Sequence, residues 1–331
     1  ESQRYLDISH ASHTPTRSQL PSIPLHSLFN LQMISRTLLN SRASASASAK
    51  LLHRGLSSTA ADPPKFDAEM VAIYSRLAEQ HRHPKGPWPL MTDKVAEIAG
   101  GEDASVKILD LATGPGEPAK TIAKWMPNST VIASDVAEDM IAKHETYLGG
   151  VPNVTSLLAS AEDLSAVPSN SQDFVTCCYG YMFPSDKDKA VEETYRVLKP
   201  GGYLVATTWN VLPMVNIAGD IMEAVLGERP EAPALNPMAL SEPGLFEGMV
   251  TKAGFKDIDI STSTYPFNFS NDKEFQVKIG TILVKDKIEE LGKQDVAKEA
   301  FFANVGKYST ISDDGSLMVE ENTFQMLVAK K

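Results

Sequence analysis

Short apolar runs and amphipathic stretches alternate through the middle of the chain. The apolar runs have the length of buried strands, and the stretches between them repeat apolar residues at helical spacing. This alternation predicts an α/β fold with a mainly parallel sheet, flanking helices and ligands at the carboxyl ends of the strands. The seven predicted strands are residues 108–110, 131–134, 154–158, 173–179, 203–208, 257–264 and 324–330. The helices predicted between the first five strands are residues 117–125, 138–147 and 186–198.

Further helical patterns lie on both sides of this alternating core, residues 105–210. Before it, residues 62–104 contain two predicted helices and form an N-terminal cap that is positioned to cover a ligand. After it, residues 211–331 contain a capped helix, further helices and the last two strands, and we predict that they line a second pocket. The additional helices are predicted at residues 66–78, 88–98, 241–255, about 272–288 and 295–305.

The run ILDLATGPGEPA, residues 108–119, joins a strand to a helix through a turn of small residues. Asp110 ends the strand, and Gly114 and Gly116 allow positive φ and close approach of a ligand to the backbone. An acid and a proline at residues 117–118 suit the first turn of a helix. The spacing fits a dinucleotide, as in Rossmann folds, and fits S-adenosylmethionine (SAM), whose cationic groups favour a carboxylate. The turn alone leaves both cofactors open.

Asp135 lies nineteen residues after Gly116, at the end of the second predicted strand. In a Rossmann-like fold an acid at this place reaches the ribose hydroxyls of the cofactor. A carboxylate can accept hydrogen bonds from both hydroxyls. The alternative is a cap for the helix that follows, and one side chain can fill both roles.

The composition narrows the possible partners. The 331 residues contain 31 Lys and Arg against 42 Asp and Glu, a net charge of −11, which is unfavourable for binding nucleic acid or anionic membranes. No run of apolar residues is long enough to span a membrane. The two cysteines, Cys177 and Cys178, are adjacent within an apolar run, so we expect reduced core thiols and no metal site.

Residues 1–61 differ in composition from everything that follows. From Met33 onward they are rich in Ser, Ala and Arg and contain no acid before Asp62, which is typical of an organellar transit peptide. We predict a mitochondrial address, with a plastid address as the alternative. A Ser/Ala-rich tail without targeting function is the other interpretation, and translation could begin at Met33.

The core resembles class I SAM-dependent methyltransferases. Four successive segments carry the resemblance: ILDLATGPGEP, VIASDVAEDM, SAEDL and DFVTCCYGYMFPSDKDKAVEETYRVLKPGGYLVATTW. The resemblance implies a Rossmann-like sheet of seven strands and SAM as the methyl donor. It also implies that Asp135 binds the ribose. The other implied cofactor residues are Asp110, Ala112, Gly114 and Gly116 at the methionine part, Ser160, Ala161 and Glu162 at the adenine, and Cys178 and Tyr179 near the sulfonium.

Two of these positions depart from the family pattern. Ala112 replaces the first glycine of the turn, and Ser160 replaces an acid that often precedes the adenine loop. Within the superfamily, the segments DLATGPGE and DKDKA resemble the ubiquinone and menaquinone C-methyltransferases. However, Met182 stands where those enzymes carry an arginine thought to assist ring deprotonation. The region after Trp209 instead resembles small-molecule methyltransferases with a type-11 domain.

The acceptor site is predicted from position in the chain. Aromatic residues near the end of the fourth strand suit a developing sulfonium or ammonium cation, because ring faces attract cations. The candidate acceptor residues are Tyr74, Trp88, Tyr181, Met182 and Trp209, with Phe183 in the same aromatic neighbourhood. Packing in the hydrophobic core is the alternative role for them. His81 and His83 lack a third ligand, so we predict no metal site there.

No sequence motif places a general base. His144 belongs to a solvent-facing helix pattern, and His81 or Glu79 would qualify only by proximity. A thioether or neutral amine needs no base, because it attacks SAM with its own lone pair. This favours S- or N-methylation of a small metabolite, for example a methylthio-hydroxy acid. Quinone C-methylation is the alternative reaction, and a SAM-binding, non-catalytic assembly factor of the organelle is the alternative class.

Overall fold

The computed structural model describes residues 68–231 and 235–331. The helices are α1 (Ala68–Ala78), α2 (Pro87–Ala99), α3 (Ala119–Trp125), α4 (Glu138–Tyr147), α5 (Lys187–Val197), α6 (Pro213–Leu226), α7 (Leu245–Lys252), α8 (Lys273–Thr281), α9 (Lys285–Leu291) and α10 (Gln294–Asn304). Short 3₁₀ helices occupy Glu79–Arg82 and Val305–Lys307. The strands are β1 (Lys107–Leu111), β2 (Thr130–Asp135), β3 (Val154–Leu158), β4 (Gln172–Cys178), β5 (Leu198–Val211), β6 (Lys256–Phe269), β7 (Thr310–Ile311) and β8 (Leu317–Lys330).

Within the described residues, these eight strands form one sheet. Seven follow the order β3-β2-β1-β4-β5-β8-β6, and β7 pairs with β8 outside that path. Neighbours from β3 to β5 pair in parallel, whereas β8 runs antiparallel to β5 and to β6. The predicted Rossmann-like, mainly parallel sheet of seven strands is therefore confirmed, and the short β7 is an addition.

The order of the strands fixes where a ligand binds. β1 lies between β2 and β4, so the connections that leave β1 and β4 run to opposite sides of the sheet. At such a switch point the loops separate and leave a crevice at the carboxyl ends of the strands. The glycine turn follows β1 directly and therefore lies at this crevice.

The centre of the sheet is apolar because helices cover both of its faces. Every residue of β1 except Lys107 is buried, including Ile108, Leu109 and Leu111. A parallel strand that is buried on both faces reads as a continuous apolar run, which is the pattern that predicted it.

The boundaries of several elements differ from the predictions. The helix predicted from residue 117 begins at Ala119. The helix predicted over residues 272–288 is interrupted after Thr281, so that α8 and α9 are separate. β5 and β8 have 14 residues each and are longer than predicted, because β5 pairs with β8 as far as Val211 and β8 continues to pair with β6 back to Leu317.

The N-terminal cap is attached to the core and to the region that follows it. Arg82 donates to Glu117 in the glycine turn at 2.6 Å and to the Tyr147 hydroxyl at 2.7 Å. On the other side, the Gln80 side chain accepts from the Asn268 amide at 2.8 Å. The cap therefore bridges the two sides of the crevice through polar contacts.

The leader predicted over residues 1–61 lies outside the described residues, as do the first residues of the cap. In the part of the chain that the structure describes, no helix has both the length and the apolar character needed to cross a membrane.

Candidate functional site

The glycine turn has the left-handed conformations that its sequence suggested. Gly114 has φ +57° and Gly116 has φ +126°. A Cβ added to Gly116 would lie 2.7 Å from Cδ2 of Leu148, so a side chain would displace that residue. Ala112 adopts φ +51°, which strains a non-glycine residue by about 1–2 kcal/mol. Strained backbone of this kind concentrates at ligand sites, which is consistent with a binding turn.

Asp110 joins the end of β1 to the start of α3. It is fully buried, and its two carboxylate oxygens accept from the Thr176 hydroxyl at 2.6 Å and from the Ala119 amide at 3.2 Å. Burial raises the pKa of this carboxyl to about 7, although the hydrogen bonds it accepts favour the charged form. Its assignment to the methionine part of the cofactor stays a prediction, and the contacts seen hold the turn between strand and helix.

Asp135 ends β2 beside the same turn. Its carboxylate accepts from the Gly114 amide at 2.8 Å and from the Ala137 amide at 3.0 Å. Burial raises the pKa of the group, and the two amides counteract that effect by stabilising the anion. Each carboxylate oxygen has a second lone pair, so these contacts leave acceptor capacity for ribose hydroxyls.

A cavity of about 290 Å³ opens next to Asp135 at the carboxyl ends of β2 and β3. It is lined by Val136, Leu158, Ala159, Ser160, Asp163, Ser165 and Ala166. The volume is close to the lower limit of about 300 Å³ for small-molecule sites. Of the three residues predicted at the adenine, Ser160 lines this cavity and Ala161 is half-buried beside it in sequence. Glu162 accepts from the hydroxyl of Ser185 at 2.8 Å and thereby ties this loop to the segment before α5.

A second group of side chains, which we call the aromatic cluster, lies where β4 and β5 end. Its members are His81, Trp88, Tyr179, Trp209, Tyr265, Phe267 and Phe324, and all are buried. Tyr179 stacks on Trp209 with ring centroids 3.9 Å apart, and His81 contacts Tyr179 edge-on at 5.1 Å. Gly180, which follows Tyr179 of the cluster, lies close to the glycine turn, because a Cβ added to it would lie 2.6 Å from that of Ala112.

Three polar groups inside the aromatic cluster form a hydrogen-bonded chain. Nδ1 of His81 lies 2.7 Å from the Tyr265 hydroxyl, which lies 3.2 Å from the Tyr179 hydroxyl. Burial lowers the pKa of His81 to about 3 and raises the pKa of both phenols well above 10. All three groups are therefore uncharged near neutral pH.

The predicted acceptor residues separate into two groups. Trp88 and Trp209 lie in the aromatic cluster beside Tyr179, which was predicted at the cofactor, and Tyr74 lies over the turn, with Cε1 3.6 Å from where a Gly114 Cβ would be. Tyr181 does not join them. Its hydroxyl bonds to Thr194 at 2.5 Å, and its ring packs on Phe246 of α7.

The direction of the backbone after β4 accounts for the separate position of Tyr181. Tyr179 has φ +58°, which turns the backbone after β4 and sends Tyr181 toward α5. Phe183 is 43% exposed, so it lies outside the aromatic neighbourhood expected for it, and Met182 is buried. Cys178 is buried as well, and the Thr207 hydroxyl donates to its sulfur at 3.6 Å.

The prediction that His144 faces solvent is wrong. Its side chain is 2% exposed and packs under the turn, where Nε2 lies 2.9 Å from the Gly114 carbonyl oxygen and Nδ1 lies 2.9 Å from the Ser156 hydroxyl. α4 has a mostly polar composition, and a polar residue that is buried for its hydrogen bonds leaves no trace in hydrophobic periodicity.

Sequence reasoning also missed the position of His81 and Tyr265. These residues are 184 positions apart, and no local pattern connects them. Glu79, considered as a base by proximity, forms an ion pair with Arg82 at 2.6 Å.

Residues 108–202 match the family described as "Methyltransferase domain". This stretch contains the glycine turn, Asp135, the cavity and Tyr179. The chain contains a methyltransferase domain. S-adenosylmethionine is the methyl donor of such a domain. The residues present fit this cofactor, because Gly114 adds no side chain at the turn and the cavity lies beside the carboxylate of Asp135.

Curated relatives resemble part of this chain. It is 39% identical over 113 residues to the ubiquinone/menaquinone biosynthesis C-methyltransferase UbiE of Hydrogenovibrio crunogenus, covering 33% of this chain and 44% of that protein. It is 40% identical over 106 residues to the demethylmenaquinone methyltransferase of Thermus thermophilus, and this match covers 31% of this chain and 47% of that protein. The chain thus spans less than half the length of these relatives.

Among solved structures, the YcgJ protein from Bacillus subtilis aligns with a TM-score of 0.48 and 19% identity. That alignment covers 73% of this chain and 98% of the other.

Proposed function

We propose that the chain is a SAM-dependent methyltransferase that methylates sulfur or nitrogen of a small molecule. The methyltransferase domain supports the reaction class. The observation that carries the choice of acceptor is the aromatic cluster, which is buried, uncharged and adjacent to the glycine turn. The cofactor enters with its adenine at the cavity and its ribose at Asp135, which directs its methionine part toward Gly114.

The aromatic cluster suits a reaction that produces a cation. Methyl transfer to a thioether gives a sulfonium, and transfer to an amine gives an ammonium. Both are stabilised by the faces of Trp and Tyr rings, such as Trp209 and Tyr179, by about 0.5–2 kcal/mol each. A dry aromatic surface also excludes water, which would otherwise compete for the nucleophile.

The same cluster is poorly suited to removing a proton. His81 has a pKa of about 3 because it is buried, so it holds a proton too weakly to act as an efficient base near neutral pH. The phenols of Tyr179 and Tyr265 stay protonated for the same reason. A lone-pair nucleophile needs no base, and the protein then only has to align it with the carbon–sulfur bond of SAM.

Quinol C-methylation is the second candidate, and the resemblance to the UbiE proteins favours it. That reaction requires loss of a proton from the acceptor. The hydrogen-bonded chain of His81, Tyr265 and Tyr179 is the group of side chains available to receive it. Met182 supplies no charge at the place where the quinone enzymes carry an arginine.

The test is a labelling experiment with the full chain. The protein is incubated with methyl-labelled SAM, a soluble metabolite extract and a demethylquinol, and the products are identified by mass spectrometry. We expect label in a permanently charged sulfonium or ammonium compound. Label in the quinol would replace this proposal with the second candidate. SAM binding without any labelled product would instead favour a non-catalytic assembly factor.

A further inference from the structure

Both backbone polar groups of Gly114 are held by side chains from other elements. Its amide donates to Oδ2 of Asp135 at 2.8 Å, and its carbonyl oxygen lies 2.9 Å from Nε2 of His144. Asp135 ends β2, and His144 belongs to α4, the helix that follows it. The residue at the apex of the turn is therefore fixed from two sides.

The hydrogen bonds define the orientation of the imidazole. A carbonyl oxygen can only accept, so Nε2 of His144 must carry the hydrogen that it donates to Gly114. The other ring nitrogen, Nδ1, is bonded to the Ser156 hydroxyl at 2.9 Å. Ser156 belongs to β3, so the sheet holds the ring in the plane that points Nε2 at the turn. With both nitrogens occupied, the ring is placed by the fold and cannot rotate freely.

The turn needs such support because glycine is the least restricted residue. Gly114 has φ +57° and no side chain of its own to pack, so its conformation must be imposed by its neighbours. A site that already has the bound conformation binds more tightly, because less conformational entropy is lost on binding. The two side chains supply that order before the cofactor arrives.

We propose that His144 is a positioning residue for the cofactor: its hydrogen bond fixes the Gly114 carbonyl and holds the turn in the conformation that receives the methionine part of SAM. This inference rests on the proposed function, because it takes the turn as the SAM site. His144 acts through the backbone of Gly114 and takes no part in methyl transfer.

The test compares three substitutions at one position by titration calorimetry of the full chain with SAM. His144→Gln places its amide nitrogen where Nε2 lies and retains the donor. His144→Asn matches the position of Nδ1, so it reaches Ser156 and falls short of Gly114. His144→Ala removes both contacts. We expect Kd within about twofold of the unsubstituted chain for Gln and about tenfold higher for Asn and Ala, which is about 1.4 kcal/mol.

Two controls separate positioning from general stability. Ser156→Ala removes the second contact and leaves the donor to Gly114, so we expect Kd to rise less than about threefold, within the range of one lost neutral hydrogen bond. Hydrogen exchange at the backbone amides of Thr113, Gly114 and Gly116 should be faster with Asn and Ala than with Gln. If His144→Ala does not fold, the comparison of Gln with Asn decides the question.

Equal SAM affinity in the Gln and Asn variants would overturn the inference, whatever their melting temperatures. Failure of the unsubstituted chain to bind SAM would be a different result. It would contradict the proposed function itself, whereas the exchange rates would still report whether His144 orders the turn.

Discussion

The two halves of the crevice, which we propose to hold the cofactor and the acceptor, are built in opposite ways. The cofactor half is formed by loops after β1, β2 and β3, and its key side chains, Asp110 and Asp135, bind backbone amides. The acceptor half is the aromatic cluster, in which side chains contact one another. Its members come from the cap, β4, β5, β6 and β8, between residues 81 and 324. The cofactor half is polar and comes from loops that are close in sequence. The acceptor half is aromatic and comes from residues that are far apart in sequence.

This difference suits the kind of chemistry that we propose for each half. Backbone amides and carboxylates recognise a cofactor through fixed geometry, and short loops supply that geometry. An uncharged cluster of rings recognises shape and developing positive charge. Such a cluster can change its acceptor through substitutions at several distant positions, while the cofactor half stays as it is.

The largest effect is expected from a side chain placed in the turn. Gly114→Val puts a branched side chain at φ +57°, against Tyr74 and in the path of the cofactor. We expect SAM affinity to fall at least about 100-fold, or about 2.7 kcal/mol. A valine held at this positive φ lowers the folding stability by about 1–2 kcal/mol, which a thermal melt would detect.

Gly248→Val is the matched control for this substitution. Gly248 lies in α7, where an added Cβ meets nothing within 4 Å. The control should fold and bind SAM with unchanged affinity. A folded Gly114→Val chain that binds SAM normally would show that the turn is not the cofactor site.

Much of the cofactor half could be predicted from sequence because its signals are local. The glycines, Asp110 and Asp135 follow predicted strands within one stretch, and the sheet order places those strand ends together. The orientation of His144 was missed, because a buried polar residue on a polar helix carries no periodic signal. The contact of His81 with Tyr265 was also beyond reach, because it depends on β6 lying at the far edge of the sheet.

The second prediction concerns the pKa of Asp110, a buried carboxyl group of the cofactor half. The pKa of Asp110 is raised from 3.8 to about 7 in the folded chain, so the folded state binds the proton more tightly than the unfolded state. Stability conferred by the protonated acid is therefore present at low pH and is lost as the pH rises toward 7. Asp110→Asn removes this loss. Its melting temperature relative to the unsubstituted chain should rise from pH 5 to pH 8, by the equivalent of about 2 kcal/mol.

Asparagine can keep both contacts of Asp110, because the Thr176 hydroxyl accepts as well as donates. Asp139→Asn, an exposed acid on α4, provides the reference and should show no comparable trend. A pH-independent difference between Asp110→Asn and the unsubstituted chain would mean that Asp110 is already ionised at pH 5.

A smaller effect is expected from the carboxylate beside the ribose position. Asp135→Ala leaves the amides of Gly114 and Ala137 without their acceptor and removes the group proposed to hold the ribose. SAM affinity should fall at least about tenfold. Asp139→Ala removes an exposed carboxylate four residues after Asp135, in α4, and should leave the affinity within twofold. Unchanged affinity in Asp135→Ala, measured by calorimetry, would contradict the ribose assignment.

The smallest effect is expected in the acceptor half, and its size distinguishes the two candidate reactions. Tyr265→Phe removes the hydroxyl between His81 and Tyr179 and keeps the ring. If the acceptor attacks with a lone pair, kcat at saturating SAM should change by less than about threefold, because no proton passes through the chain of hydroxyls. A reaction that needs a base would lose about 100- to 10,000-fold.

Tyr181→Phe is the appropriate control, since it also removes a buried tyrosine hydroxyl, bonded to Thr194 outside the aromatic cluster. Both variants should lose about 1–3 kcal/mol of stability, because each leaves a buried polar partner unpaired. With stability matched in this way, a large fall in kcat confined to Tyr265→Phe would show that the acceptor gives up a proton through Tyr265. That result would favour quinol C-methylation, because the hydroxyl of Tyr265 contacts His81 and Tyr179, whereas the hydroxyl of Tyr181 contacts Thr194.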